Sequence, residues 1–410
     1  MYHFTTWPDH GVPSAPALLS FWKQVKKNAS QTNGPITVHC SAGIGRTGTF
    51  IGLDSLVDEA RDTKSVNVFE CVRKMRDNRI NMVQTPEQYQ FLHEVLLEAI
   101  SCRETLYTVA SFKEQFTETK TLSPKENARL KQEFKDITSL KKPVSQRDID
   151  TAHLPENKEK NRNQNIVPAS SHRPYLSTHI KGTNDYINAV SLPSCKNKDG
   201  FLVTQMPLEL TVIDFWRMVY EMECTTIVSL TSPDALATSQ DIGIYWPEYG
   251  ESMTVGPFTV QNKTTITETT SSNITELSLV LGKEDQLIYE NQDTRNIEMF
   301  MLNNWLMDDR LPLDKYELLM FLDKLERRRD EIGEKPVVVQ CIDGAKHSGL
   351  FCVLSNIISK LKLDDDVDIF VTVRELQCIR PQIVESFKQY QYCYEVVKEY
   401  MNSLEIYGNL

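Results

Sequence analysis

The sequence has no apolar run near the ~18 residues that a membrane-spanning helix requires. Its opening, Met1-Tyr2-His3-Phe4, shows no basic stretch followed by apolar residues, so no signal peptide is legible. There is no Cys-x-x-Cys pair. The nine cysteines, an odd number, are scattered through 410 residues, far too long a chain to need disulfide staples. That pattern argues against a disulfide framework and fits reduced thiols in a cytosolic compartment. Basic charge is also short: 45 Lys and Arg stand against 56 Asp and Glu, for a net charge of −11. Such a balance argues against a broad nucleic-acid face and leaves room for a local basic pocket holding one phosphate. What is present is ordinary for globular protein, with 40% hydrophobic and 25% charged residues and enough length for two domains or more. Three N-x-S/T sequons, at Asn28, Asn262 and Asn273, read as chance matches.

The chain repeats itself. Gly34-Pro-Ile-Thr-Val-His-Cys40 is echoed by Lys335-Pro-Val-Val-Val-Gln-Cys341, and Arg79-Ile-Asn-Met-Val-Gln-Thr85 by Arg380-Pro-Gln-Ile-Val-Glu-Ser386. Trp7 with Trp305, Cys40 with Cys341 and Gln88 with Gln389 keep a near-constant offset, which argues for duplicated domains. Only six residues precede Trp7, whereas the second copy has well over a hundred before Trp305. The expected layout is the C-terminal part of a first domain in 1–103, a linker in 104–122 and a complete second domain in 123–406. Ser123-Pro124-Lys125-Glu126 predicts a helix start with a capping box. Asn157 to Gln164 predicts a surface loop, and the Thr/Ser-rich run from Thr264 to Thr275 a β-hairpin.

Pro35 to His39 alternates and is β-branched, predicting a buried strand. Phe50, Ile51, Leu53, Leu56, Val57 and Ala60 recur at helical spacing after Thr47. Between them lies Cys40-Ser41-Ala42-Gly43-Ile44-Gly45-Arg46. A strand, a small-residue loop and a helix N-terminus make an anion site, because loop N–H groups converge on one phosphate. Gly43 and Gly45 permit the close backbone approach. The positive field and Arg46 both favour the Cys40 thiolate, its reactive form, and Arg46 offers a planar fork to two phosphate oxygens. Thr47 is placed to hydrogen-bond the sulfur. Trp7-Pro8-Asp9-His10-Gly11 supplies a carboxylic acid for a leaving oxygen, with Gly11 as a hinge; the bland reading of Asp9 is a turn former. Gln84 is placed to orient a hydrolytic water. Gln88 divides evenly between that work and capping its own helix. His39 is expected to be a buried, hydrogen-bonding neighbour of the loop.

This constellation closely resembles the tyrosine-specific protein phosphatase family: WPDHG at 7–11, HCSAGIGRTG at 39–48 and QTPEQ at 84–88, in that order. The resemblance implies an α/β fold, a twisted mixed β-sheet flanked by helices, here as one partial and one complete copy. It implies Cys40 as nucleophile, Asp9 as general acid then base, Arg46 as phosphate clamp and Gln84 as water-positioning residue. Residues Ser41 to Thr47 and Gln88 would form the phosphate cradle, with no metal and no cofactor. Two tandem copies resemble the receptor-type branch. That branch implies phosphotyrosine-containing proteins as partners, a cytoplasmic location at the plasma membrane and a membrane helix upstream in the full-length receptor. No nucleic acid and no membrane contact from this segment are expected.

The second copy keeps the framework residues Lys160-Asn161-Arg162, Asp185 to Ala189, Thr204-Gln205, Asp214-Phe215-Trp216 and Tyr245-Trp246-Pro247. Its reagents are altered. Asn163 stands where the family has a tyrosine, and Trp305-Leu306-Met307 replaces Trp-Pro-Asp unless Asp308 slides into place. His347 replaces the arginine, Glu385 replaces the glutamine, and Asp343 adds negative charge where phosphate would sit. This is expected to be a pseudophosphatase domain with a regulatory or scaffolding role. Cys341 is either a leftover packing residue or a redox-sensitive thiol. The rivals for the whole chain are sulfur transfer or arsenate reduction by the Cys-x5-Arg loop, and a catalytically inactive interaction module.

Overall fold

In the computed structural model, residues 1–8, 11–29, 34–102, 105–116, 123–231, 241–269, 272–282, 294–303, 305, 311–312, 314–333 and 335–408 are described. The chain divides into two compact units. One comprises Met1–Thr108, Leu122–Lys141 and Asp366–Cys378; the other comprises Val109–Thr121, Lys142–Asp365 and Ile379–Leu410. All nine cysteines are free thiols, and none of the described helices is long and apolar enough to cross a membrane.

The second unit is built on an eight-stranded mixed sheet. Its order is Ala189–Leu192, Phe201–Gln205, Val337–Cys341, Thr226–Ser229, Thr294–Leu302, Ser272–Leu281, Phe258–Thr269 and Ser252–Val255. The four strands from Phe201–Gln205 to Thr294–Leu302 run parallel and the outer ones antiparallel. Parallel strands are covered on both faces, which is why Val337-Val338-Val339-Gln340-Cys341 is buried at every position. The Thr264–Thr275 reading holds: Thr265 pairs with Thr275 and Ile266 with Ile274 across an antiparallel ladder.

Asn157 to Gln164 is not the expected surface loop. Asn157, Lys160 and Asn161 are buried, because the Lys160 ammonium reaches the Asp214 carboxylate at 2.7 Å and Gln205 donates to the Lys160 carbonyl. Buried polar groups survive only when paired in this way. The stretch therefore combines a buried network at Asn157, Lys160 and Asn161 with exposed Lys158, Glu159 and Asn163.

The first unit packs helices Ala15–Ala29, Gly45–Thr63, Val68–Asn78 and Pro86–Ser101. Leu19, Trp22, Leu53, Leu56, Phe91, Leu92 and Val95 form buried stripes at helical spacing. Helix Pro124–Ser139 begins with the expected capping box between Ser123 and Glu126. The segment read as a linker carries strand Leu106–Thr108, which pairs antiparallel with Asp366–Asp368, and helix Val109–Phe116.

Two expectations fail here. Pro35 to His39 forms no strand and is largely exposed, and His39 is exposed with it. The cause is the absence of neighbours. The similarly patterned Val337–Cys341 lies hydrogen-bonded between two strands, whereas no described strand of the first unit pairs with residues 35–39. Alternation becomes a strand only when both edges and faces find partners.

A buried ion pair anchors the helix that carries Gln88. The Arg374 guanidinium meets Glu98 at 2.6 Å, with side-chain exposures of 4% and 7%, and also donates to the Leu140 carbonyl. Removing one partner strands the other charge, so Glu98→Ala should cost about 3–5 kcal/mol. Thermal or denaturant melting of the chain tests this, and a loss under about 1 kcal/mol, typical of an exposed pair, would refute it.

Candidate active site

Helix Gly45–Thr63 starts directly after the Cys40 loop. Gly43 sits at φ +71°, and the Gly43 N–H points at the Cys40 sulfur at 3.3 Å. Gly48 admits no larger residue: a Cβ there would lie 2.6 Å from the Val83 backbone nitrogen. That close approach lets the Val83 N–H donate to the Ile44 carbonyl and docks the turn that delivers Gln84 beside the loop. Helix Pro86–Ser101 begins with proline at its first position and Thr85 accepting from the Gln88 N–H. The Gln88 side chain in turn accepts from the Gln84 N–H at 2.9 Å, and both glutamine side chains face Gly45. Gln88 is thus tied to the helix start through its backbone and to the Gln84 turn through its side chain.

Cys40, Ser41, Ala42, Gly45, Arg46, Gln84 and Gln88 line one open cleft of about 610 Å³ with Trp7, Pro8 and Gly11. Gly43 and Ile44 belong to the same loop, and Thr47 to the first turn of the helix that follows it. Asp9 lies outside the described residues. Its neighbours Pro8 and Gly11 both face the cleft, and Arg46 donates to the Pro8 carbonyl at 3.2 Å. Trp7 is buried edge-on against Phe91 and donates to the Gly11 carbonyl.

Partial burial pushes the Cys40 thiol up, but hydrogen bonds from Thr47, through hydroxyl and backbone, and from the Gly43 and Ile44 N–H groups outweigh it. The net displacement is downward, toward the thiolate. The buried Thr47 hydroxyl has no other hydrogen-bond partner among the described residues, which leaves it to the sulfur. Thr47→Ala should therefore shift the pH midpoint of Cys40 alkylation by iodoacetamide upward, read on the Cys40 peptide by mass spectrometry. An unchanged midpoint would remove Thr47 from this role.

Three supporting residues escaped the sequence reading. Arg79 donates to the Ala42 carbonyl at 3.0 Å and braces the loop. Arg76 donates to the Met82 and Val83 carbonyls. Val83 itself sits at φ +56°, a costly conformation for a β-branched side chain. The available signal was the echo between copies: Arg380 and Val384 recur, and Val384 is also left-handed, at φ +50°.

The second loop has the same backbone course and different chemistry. Gly344 matches Gly43 at φ +66° and helix Lys346–Asp364 follows. His347 is buried, stacked on Trp305 with ring centroids 5.0 Å apart. Glu385 and Asn163 are exposed, and Asn163 accepts from the Asn165 N–H in its own turn. Met307 and Asp308 lie outside the described residues. Burial, reinforced by the Asp343 carboxylate, pushes the Cys341 thiol up to about 11. Oxidation selects exposed thiols of low pKa, so Cys341 fits a packing role.

Residues 1–98 and 157–399 match the family model described as protein-tyrosine phosphatase. The chain is 35% identical over 406 residues to receptor-type tyrosine-protein phosphatase U of Gallus gallus, covering 98% of this chain and 28% of that protein. It is 35% identical over 411 residues to receptor-type tyrosine-protein phosphatase epsilon of Mus musculus, covering 99% and 58%. To receptor-type tyrosine-protein phosphatase alpha of Homo sapiens it is 34% identical over 411 residues, covering 100% and 50%. The chain thus spans little more than half of these relatives at most.

Proposed function

We propose a function from one premise: this chain belongs to the protein-tyrosine phosphatase family. The Cys40 centre hydrolyses phosphotyrosine on proteins. The thiolate attacks phosphorus, an S–P bond forms, and the bond from phosphorus to the tyrosine oxygen breaks as Asp9 donates its proton to that oxygen. Loop N–H groups and the Arg46 guanidinium hold the phosphoryl oxygens as charge redistributes. Gln84 and Gln88 then orient a water, Asp9 takes its proton, and its oxygen displaces the thiolate and releases inorganic phosphate.

The observation that carries this reading is the cleft itself, which gathers a thiol of depressed pKa, a guanidinium and two glutamines with Trp7, Pro8 and Gly11. The second unit is a regulatory or scaffolding domain of the same family. In the whole receptor both would lie at the cytosolic face of the plasma membrane and act on phosphotyrosyl proteins.

Turnover of a phosphotyrosyl peptide, with no sulfur transfer and no arsenate reduction by the same sample, is the expected result. A second reading, a non-catalytic interaction module, draws on the largely exposed Pro35 to His39 segment leading into the loop, which pairs with no strand among the described residues. Saturable binding of the peptide without turnover would favour it over the first.

A further inference from the structure

The second loop already holds an anion, and it belongs to the chain. One Asp343 carboxylate oxygen accepts from the Ala345 N–H and from the Lys346 N–H, both at 3.0 Å, and from the Cys341 thiol at 3.3 Å. Those N–H groups correspond by position to those of Ile44 and Gly45 in the first loop, where Ala42 stands in place of Asp343 and carries no charge. The loop backbone is pinned from behind, since a Cβ on Gly344 would meet the Gln205 nitrogen at 2.4 Å. Beneath it, Arg380 is fully buried. Its Nη2 donates to the Asn188 side chain, while Nε and Nη1 find no hydrogen-bond partner among the described residues. Asp343 is among the groups whose charge acts on Arg380.

We propose that Asp343 is a built-in substitute for a phosphoryl group: its carboxylate occupies the amide cradle of the second loop and closes a latent oxyanion site that the backbone still forms. A buried guanidinium with two nitrogens lacking a hydrogen-bond partner among the described residues is costly, and the Asp343 carboxylate acts on it through its charge. A free phosphate would have to displace that carboxylate and then sit beside its charge. The loss of phosphate chemistry here then follows from occupation as well as from the missing arginine, and this holds whether or not Cys40 turns over substrate.

The test uses the full chain with 15N-labelled alanine and lysine, titrated with inorganic phosphate. In the native chain the Ala345 and Lys346 amide resonances should stay unmoved, while Ala42 in the same sample reports on the first loop separately. In Asp343→Ala, which installs the residue the first loop carries, Ala345 and Lys346 should shift and saturate. In Asp343→Asn, which keeps an acceptor for the amides and drops the charge, any shift should be smaller than in Asp343→Ala. Two results overturn the proposal: saturable shifts of Ala345 and Lys346 in the native chain, or no shift in an Asp343→Ala chain that melts as cooperatively as the native one. If Asp343→Ala does not fold, Asp343→Asn and the native chain decide. Equal saturable shifts in both overturn it, and an unmoved native chain beside a responsive Asp343→Asn supports it.

Discussion

Cys40→Ser should reduce phosphotyrosine hydrolysis to background while leaving the helices around the loop intact. A serine hydroxyl is a weak nucleophile at its free pKa and is not ionised near neutrality. The Gly43 N–H and the Thr47 hydroxyl still face the side-chain oxygen, so phosphate binding should survive. Asp9→Ala should separate the steps differently. Removing a general acid costs about 10²–10⁴ in rate and touches no phosphate contact, so kcat falls while KM stays near its native value. Activity retained in Cys40→Ser would end the nucleophile assignment. A defect confined to KM in Asp9→Ala would end the acid role.

The second large effect is an absence of turnover at Cys341. In a Cys40→Ser chain it is the remaining cysteine with a phosphatase-like loop. Losing the charged fork to the buried, Trp305-stacked His347 costs about 1.5–3 kcal/mol, or one to two powers of ten. Losing the acid at Met307 costs about another 10²–10⁴. Together they place hydrolysis at this loop about three to six powers of ten below the first. Installing His347→Arg, Met307→Asp and Asp343→Ala together in that background should recover measurable turnover, while any one alone should not. Turnover by the unmodified second loop at a rate comparable to the first would contradict this and make Asp308 the next residue to test as its acid.

The cleft was legible because its residues are written locally. The loop after Cys40, the Trp7-Pro8 segment and the Gln84 turn are each a few adjacent residues, and the structure brings Cys40, Arg46, Gln84, Gln88, Trp7 and Pro8 to one cleft. The Ser123 cap and the Thr264–Thr275 hairpin were legible for the same reason. What misled was context supplied from a distance. Pro35 to His39 and Val337 to Cys341 share a pattern, yet only the latter has strands on both sides. Asn157 to Gln164 looks solvated until Asp214 and Gln205, dozens of residues away, turn it into a buried network. Arg76, Arg79 and the left-handed Val83 act on backbone carbonyls and dihedrals, for which side-chain identity gives almost no sign.

The most direct test of the account is to locate the covalent phosphate. The chain is mixed with a phosphotyrosyl peptide, quenched in acid within the first turnovers, digested and analysed by mass spectrometry; Gln84→Ala, which slows the water step, lengthens the intermediate's lifetime. The account predicts phosphate on the Cys40 peptide and none on the Cys341 peptide. Phosphate on Cys341, or peptide hydrolysis with no phosphocysteine at Cys40, would contradict it.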